Sequence, residues 1–260
     1  MTRNGAGSAA RDVRGRGFLL AAGMLAFFAP AIAGADEVDD LLTKRQNNFA
    51  HLKKMRAEYE VDTERPAVKG EPARKVGMKY GMTIRVRDRH HPDPAKRFDV
   101  EMDMHEPMRM HAKYENGVFS YETPSGQWMT LTVPPEGLKF LSDLPERNVG
   151  DAGSAKVHYD IKRRKDKDSL FGGKKGLEYV PKGKAKMYAR KLEIVDTDTG
   201  QPLLIEHYDD SGHVKWRMKV NKLGKHNGVA IAEDTETESD STVGVIKKHS
   251  RLTKVEVETE

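Results

Sequence analysis

Between Lys75 and Tyr114 apolar side chains recur at every second position in three successive runs. The first is Val76, Met78, Tyr80, Met82, Ile84 and Val86, the second Phe98, Val100, Met102 and Met104, and the third Met108, Met110, Ala112 and Tyr114. A period of two places each run on one face of an extended strand and the intervening charges on the other, so the pattern predicts antiparallel strands with one apolar and one solvated face. Most apolar strand faces are built from branched side chains of fixed shape. A face rich in unbranched thioethers is adaptable and suits a guest of variable shape, although methionine also fills ordinary cores. Cavity and core are the two readings of this stripe, and the stripe alone does not separate them.

The first 35 residues stand apart from this pattern. Arg3, Arg11, Arg14 and Arg16 form a basic stretch, Phe18 to Ala33 an apolar one, and Ala31-Ile32-Ala33 and Ala33-Gly34-Ala35 have the small-x-small form of a signal-cleavage site. The expectation is an exported, periplasmic protein cleaved after Ala33 or Ala35, leaving one domain over 36–260. The apolar stretch is shorter than the roughly 20 residues a spanning helix needs. Without this segment 45 Lys+Arg and 40 Asp+Glu become 41 and 39, and the net charge falls from +5 to +2. No global positive field then remains for nucleic acid. The local run Lys162-Arg163-Arg164-Lys165 reads as a solvated loop. There is no cysteine, hence no disulfide, thiolate metal site or cysteine nucleophile.

Along 36–260, Asp36 is placed to cap an amphipathic helix carrying Val38, Leu41, Leu42, Phe49 and Leu52. Met55, Ala57, Tyr59 and Val61 form the first strand, and 63–74 a loop. After the methionine-rich strands, Asn116-Gly117 is a two-residue hairpin turn and Ser125-Gly126 a second turn before Trp128 to Leu131. Leu138, Phe140, Leu141 and Leu144 make a short helical segment, and 162–175 an irregular charged insertion. Strands are expected at 157–161, 177–180, 187–195, 203–208, 214–220, 229–232, 242–247 and 252–257. Ten to twelve strands are too many for a flat layer, so the sheet should curve into a partial barrel.

The chemistry-bearing residues point away from catalysis. His90, His91, His105 and His111 cluster in sequence near Asp93, Asp99 and Asp103, but neither HExxH nor another defined ligand spacing is present, and no metal or other cofactor is expected. There is no Gly-x-Ser-x-Gly elbow, and Ser125 reads as a turn residue. Asp196-Thr-Asp-Thr-Gly200 lacks the distal glutamate of a calcium loop and reads as a hairpin turn.

Two stretches carry a family likeness: the hairpin Tyr114-Glu-Asn-Gly-Val-Phe-Ser-Tyr121, and the block Leu192-Glu-Ile-Val-Asp-Thr-Asp-Thr-Gly-Gln-Pro-Leu-Leu204, Glu206-His-Tyr-Asp-Asp-Ser-Gly212 and Trp216 to Val220. With the N-terminal helix before them, they resemble the LolA/LolB-like outer-membrane lipoprotein-sorting proteins over roughly 36–257. The resemblance implies an α+β fold, a curved antiparallel sheet or half-open β-barrel with helices covering the concave face. It also implies a non-catalytic role, the binding and transport of lipoprotein acyl chains or other acyl lipid cargo toward the outer membrane between membrane-bound donor and acceptor proteins. In carrier members of the family an arginine beside a proline holds the helical lid shut, and here Arg89 and Arg97 are the candidates. Apolarity assigns the cavity to Met78, Tyr80, Met82, Ile84, Met102, Met104, Met108, Met110, Phe119, Trp128, Leu131, Trp216 and Met218. The lid is assigned to Leu41, Leu42, Leu138, Phe140 and Leu141. A second reading uses the same scaffold for envelope-stress sensing or assembly, recruiting a partner protein through the 162–175 insertion.

Overall fold

The computed structural model describes residues 37–68, 72–89, 91, 96–106, 109–116, 118–131, 155–156, 159–171, 174–183, 188–241 and 244–260. Leu138, Phe140, Leu141 and Met108 lie outside them, as does the segment 1–35. One helix, α1 (37–48), leads into thirteen strands. The strands are β1 (Leu52–Arg65), β2 (Arg74–Val86), β3 (Phe98–Glu106), β4 (Met110–Glu115), β5 (Val118–Glu122), β6 (Trp128–Leu131), β7 (Tyr159–Arg163), β8 (Lys175–Pro181), β9 (Arg190–Val195), β10 (Pro202–Tyr208), β11 (Val214–His226), β12 (Val229–Ser241) and β13 (Gly244–Thr259).

All thirteen belong to one curved, unclosed antiparallel sheet in the order β6-β5-β4-β3-β2-β1-β13-β12-β11-β10-β9-β8-β7. The chain therefore begins at the centre, meanders out to one edge, resumes at the opposite edge and meanders back until β13 pairs with β1. The 2.0-residue pattern fixes the register: Tyr59 pairs with Tyr80, Met82 with Met102, Met102 with Ala112, and Tyr114 with Phe119. Every apolar run thus falls on one face, and a slip of one residue in any strand would turn its methionines outward.

Turn chemistry holds this register. Glu115 pairs with Val118 across Asn116, whose φ is 53°, as a two-residue turn requires. Asp196 closes the β9–β10 turn, its Oδ1 accepting from the backbone N–H groups of Asp198 (3.1 Å) and Thr199 (3.0 Å). Asp209 does the same at β10–β11 for Ser211 and His213. Both are side-chain mimics of a backbone turn.

Two expectations are corrected. The separate strands at 229–232, 242–247 and 252–257 are two long strands, β12 and β13. The intervening Thr-Glu-Thr-Glu-Ser-Asp-Ser run has no apolar member, yet its Thr and Ser side chains alternate on the inner face, while Glu238 reaches Lys247 across the outer one (3.3 Å). The insertion is likewise not irregular: Lys165–Phe171 is a 3₁₀ helix packed beneath β8, with Lys167 Cβ 2.9 Å from where a Cβ on Gly176 would stand.

Candidate functional site

The face that carries Met55, Ala57, Tyr59 and Val61 on β1 continues without a break across the sheet. Through the paired positions it includes Met78, Tyr80, Met82 and Ile84, then Met102 and Met104, then Met110, Ala112 and Tyr114, then Phe119 and Tyr121. In the other direction it passes through Val257, Val255 and Leu252 to Thr237 and Ser239, and so to Met218 and Trp216. Leu131 is paired with Phe119 and so has this parity.

Burial varies along the strands. At one end Phe49, Leu52, Met55, Met82, Ile84, Phe98, Val100, Met102, Tyr114, Phe119, Val229 and Ile231 are buried together in one cluster. At the other, Met78, Tyr80, Met104, Met110 and Tyr121 are half-buried, as are Trp216 and Met218. Met82, Ile84, Met102 and Phe119, assigned from sequence to the cavity, thus stand in the packed end, and the half-buried group makes the accessible end. Tyr59 stacks on Tyr80 with ring centroids 5.2 Å apart. Burial pushes the Tyr80 hydroxyl up to about 12, and burial beside Tyr80 raises that of Tyr59 further. Both rings therefore stay neutral in ordinary buffers and offer apolar surface rather than acid–base chemistry.

Trp128 is a correction. It pairs with Glu122, on the parity of Ser120 and Lys113, and so lies on the outer face. There Lys113 Nζ sits 4.4 Å from the centroid of its ring and His111 meets it edge-on at 4.9 Å. Met129, paired with Tyr121, takes the inner position instead. Three of the four residues in Trp128-Met-Thr-Leu131 are apolar, so alternation does not reveal which set faces in. The five-residue connection from Glu122 to Trp128 decides it.

Helix α1 covers the opposite end of the same face. Val38, Leu41 and Leu42 are buried against Leu177, Tyr179 and Val195, so the two lid residues that are described do lie over the sheet. A buried polar network sits beneath the helix. Arg45 Nη2 donates to Glu193 Oε2 (2.7 Å), Arg45 Nε to the Gly200 carbonyl (2.8 Å), and Tyr179 Oη to Glu193 Oε2 (2.7 Å). Lys191 Nζ reaches Glu193 Oε1 at 2.9 Å. Burial pushes the Glu193 carboxyl up, but the charges of Arg45 and Lys191 outweigh it and hold the group well below its ordinary value. Gly200 has φ +68°, and a Cβ there would collide with the Leu41 carbonyl and come within 2.6 Å of the Arg45 nitrogen, so the helix sits directly on this turn.

Two further ties hold α1. Asn48 is hydrogen-bonded to both backbone groups of Ala230, accepting at 2.8 Å and donating at 3.0 Å. It substitutes for a strand partner, because β13 pairs with β12 only from Asp234 onward. Arg89, in the β2–β3 connection, donates to the carbonyls of Phe49 (2.7 Å) and Leu52 at the α1–β1 junction. Arg97 instead donates to the His91 carbonyl (2.8 Å) within its own loop. Of the two candidate latches, Arg89 thus reaches the end of α1.

The basic run of the insertion is not the solvated loop its composition suggests. The Arg163 side chain is 4% exposed and paired with Glu37 and Asp168, at 3.0 and 2.7 Å. Arg164 is paired with Asp166 and Glu178, both at 2.8 Å.

No family model matches this sequence, and no curated protein matches it. Solved structures do match in fold. A DUF1329 family protein from Desulfovibrio piger superposes with a TM-score of 0.62 at 13% identity, over 85% of this chain and 92% of that one. A domain assigned to outer membrane lipoprotein sorting from Vibrio parahaemolyticus gives 0.60 at 13% identity, over 88% and 93%. A LolA superfamily protein from Nitrosomonas europaea gives 0.55 at 12% identity, over 84% and 92%. No helix among the described residues is long and apolar enough to cross a membrane. A central β1–β13 pair, an inner apolar face and a helix laid across part of it give this chain the same fold as those three structures.

Proposed function

We propose that the protein is a periplasmic, non-catalytic carrier of acyl lipid cargo, most simply the acyl chains of lipoproteins, and that the accessible end of the inner face receives those chains. The observation that carries this reading is the group Met78, Tyr80, Met104 and Met110, continuous with a packed core yet itself only half-buried. Each methylene moved from water onto such a surface contributes about 0.8 kcal/mol, so a single acyl chain would be held firmly without any polar recognition. Release then requires a competing acceptor or a movement of the covering helix, with Arg89 and Arg45 as the contacts that oppose such a movement. The export signal read in the sequence of residues 1–35 supports a periplasmic location for this carrier. Recruitment of a partner protein through 162–175 would fall to the exposed Lys162 and Lys165, since Arg163 and Arg164 are engaged within the chain.

The test is native mass spectrometry of protein purified from its own periplasm, followed by solvent extraction. Co-purified acyl lipid, lost in Met104→Lys/Met110→Lys while circular dichroism is unchanged, is the expected result. A protein that is empty, and stays empty when offered fluorescent acyl probes, would overturn the reading.

A further inference from the structure

The outer face carries a cluster at the free ends of β3, β4 and β5 that acyl binding does not use. Cross-strand pairing sets Asp103 directly opposite His111 and, on the other side, aligns His111 with Glu122. His111 Nε2 lies 3.0 Å from Glu101 Oε1 and 3.7 Å from Asp103 Oδ1, and its Nδ1 lies 3.8 Å from Glu122 Oε2. One ligand atom from each of Glu101, Asp103 and His111 falls within 4.8 Å of the other two. An ion held at about 2.0–2.2 Å by nitrogen and oxygen wants its ligand atoms about 3.4 Å apart, so small side-chain rotations close this set.

A separate feature adjoins the cluster. A cavity of about 410 Å³ opens between the β3–β4 and β5–β6 connections, lined by Asp103, His105, His111 and Glu122 among others. His105 lies 3.8 Å from where a Cβ on Gly81 would stand, and Gly81 is paired with Asp103, so a second imidazole flanks the same carboxylate. Of the neighbouring cations, Arg85 engages Glu101 at 3.2 Å, while Lys113 sits over the Trp128 ring. A donor set of imidazole and carboxylate beside a hollow open to water suits zinc-class ions; calcium and magnesium prefer all-oxygen sites. We propose that Glu101, Asp103 and His111 form a binding site for a divalent transition-metal ion of the zinc class, bound at His111 Nε2, with Glu122 facing the other ring nitrogen as a partner that orients the imidazole. The sequence clusters His111 with Asp103 but gives no ligand spacing, because the ligands come from adjacent strands at pairing positions and not from one helix or loop.

The test is calorimetric titration of the untagged, chelator-stripped protein with zinc chloride near neutral pH, with tryptophan fluorescence followed in parallel. One ion per chain is expected, together with a fluorescence change that disappears in Trp128→Phe while the heat remains. His111→Ala should weaken binding more than tenfold, the scale at which even supporting residues act. The near-isosteric Asp103→Asn should weaken it in the same direction, and it covers the case in which His111→Ala fails to fold. Absence of saturable zinc binding overturns the proposal. So does stoichiometric binding that survives His111→Ala combined with Asp103→Asn, or a preference for calcium over zinc.

Discussion

The inner face of the sheet is covered in two different ways. Over β8 and β9 the chain supplies its own cover: α1 lies across the strands, and the polar groups under it are matched so closely that Glu193 is buried with three partners. Over β2, β3 and β4 the cover is apolar and partial, packed at one end and half-buried at the other. A face closed by a buried ion pair is committed to one partner geometry, because removing either charge strands the other in low dielectric. A face closed by methionine and tyrosine tolerates exchange of what lies on it, since dispersion and apolar burial have no direction. This difference separates the part of the molecule that positions the helix from the part that could hold a guest.

The largest effect should follow from breaking the committed half. Arg45→Ala is expected to cost about 3–5 kcal/mol in urea unfolding, the range for leaving a buried charge unpaired. The triple replacement Arg45→Met/Glu193→Leu/Tyr179→Phe removes Glu193 with its two buried partners, leaving the partly exposed Lys191 free to reach water, and should recover most of that loss. If the triple variant is as unstable as Arg45→Ala alone, the pair is not what seats the helix. The same pair gives an acid limb. The Glu193 carboxyl lies below its ordinary value of 4.5 in the folded protein, so the unfolded chain binds the extra proton first. The pair's stabilisation is complete above about pH 4.5 and declines as the pH falls below it. Unfolding free energies measured from neutral pH downward should fall less steeply below that point in the triple variant than in the wild type.

This committed half was the part least legible in the sequence. The alternation in β2 to β4 declared strand identity and face, because no two of its large apolar residues are adjacent. In β9 Leu192, Glu193, Ile194 and Val195 are all buried, and no alternation exists to read. Glu193 is a charge that a period-two reading sends to solvent. Its partner Arg45 is 148 residues away, a charge at helical spacing from Val38, Leu41 and Leu42 and so on the buried face of α1, and nothing local links the two. The turn Asp196 to Gly200 was recognisable as a turn, but its second role as the seat of α1 depends on a tertiary approach that no local signal encodes.

Within the apolar half, the two ends should separate under the same substitution. Met102, in the packed end, is 2% exposed, and Met102→Ala should cost about 2–5 kcal/mol because a filled site cannot fully collapse. At the helix seat, Gly200→Ala places a side chain in the left-handed region, at about 1–2 kcal/mol before any collision with α1 is counted. Thermal unfolding of both variants would rank the rigidity of core and helix seat. A near-neutral Gly200→Ala would mean that α1 lifts easily from the sheet.

The smallest change in stability is expected at the accessible end, and there it carries the most information. Met104 and Met110 pair across β3 and β4, both half-buried, and each loses only part of its contact area when truncated. Met104→Ala and Met110→Ala should each shift unfolding by about 1 kcal/mol or less. In a packed core, loss of stability and loss of any bound probe would go together. On a carrier surface they separate: the fold stays intact while affinity for an acyl probe falls, because the removed thioethers belonged to the guest's contact surface. If instead both truncations cost as much as Met102→Ala and leave probe binding unchanged, the methionine stripe is core along its whole length. A guest, if there is one, must then lie on the part of the face that Trp216 and Met218 share.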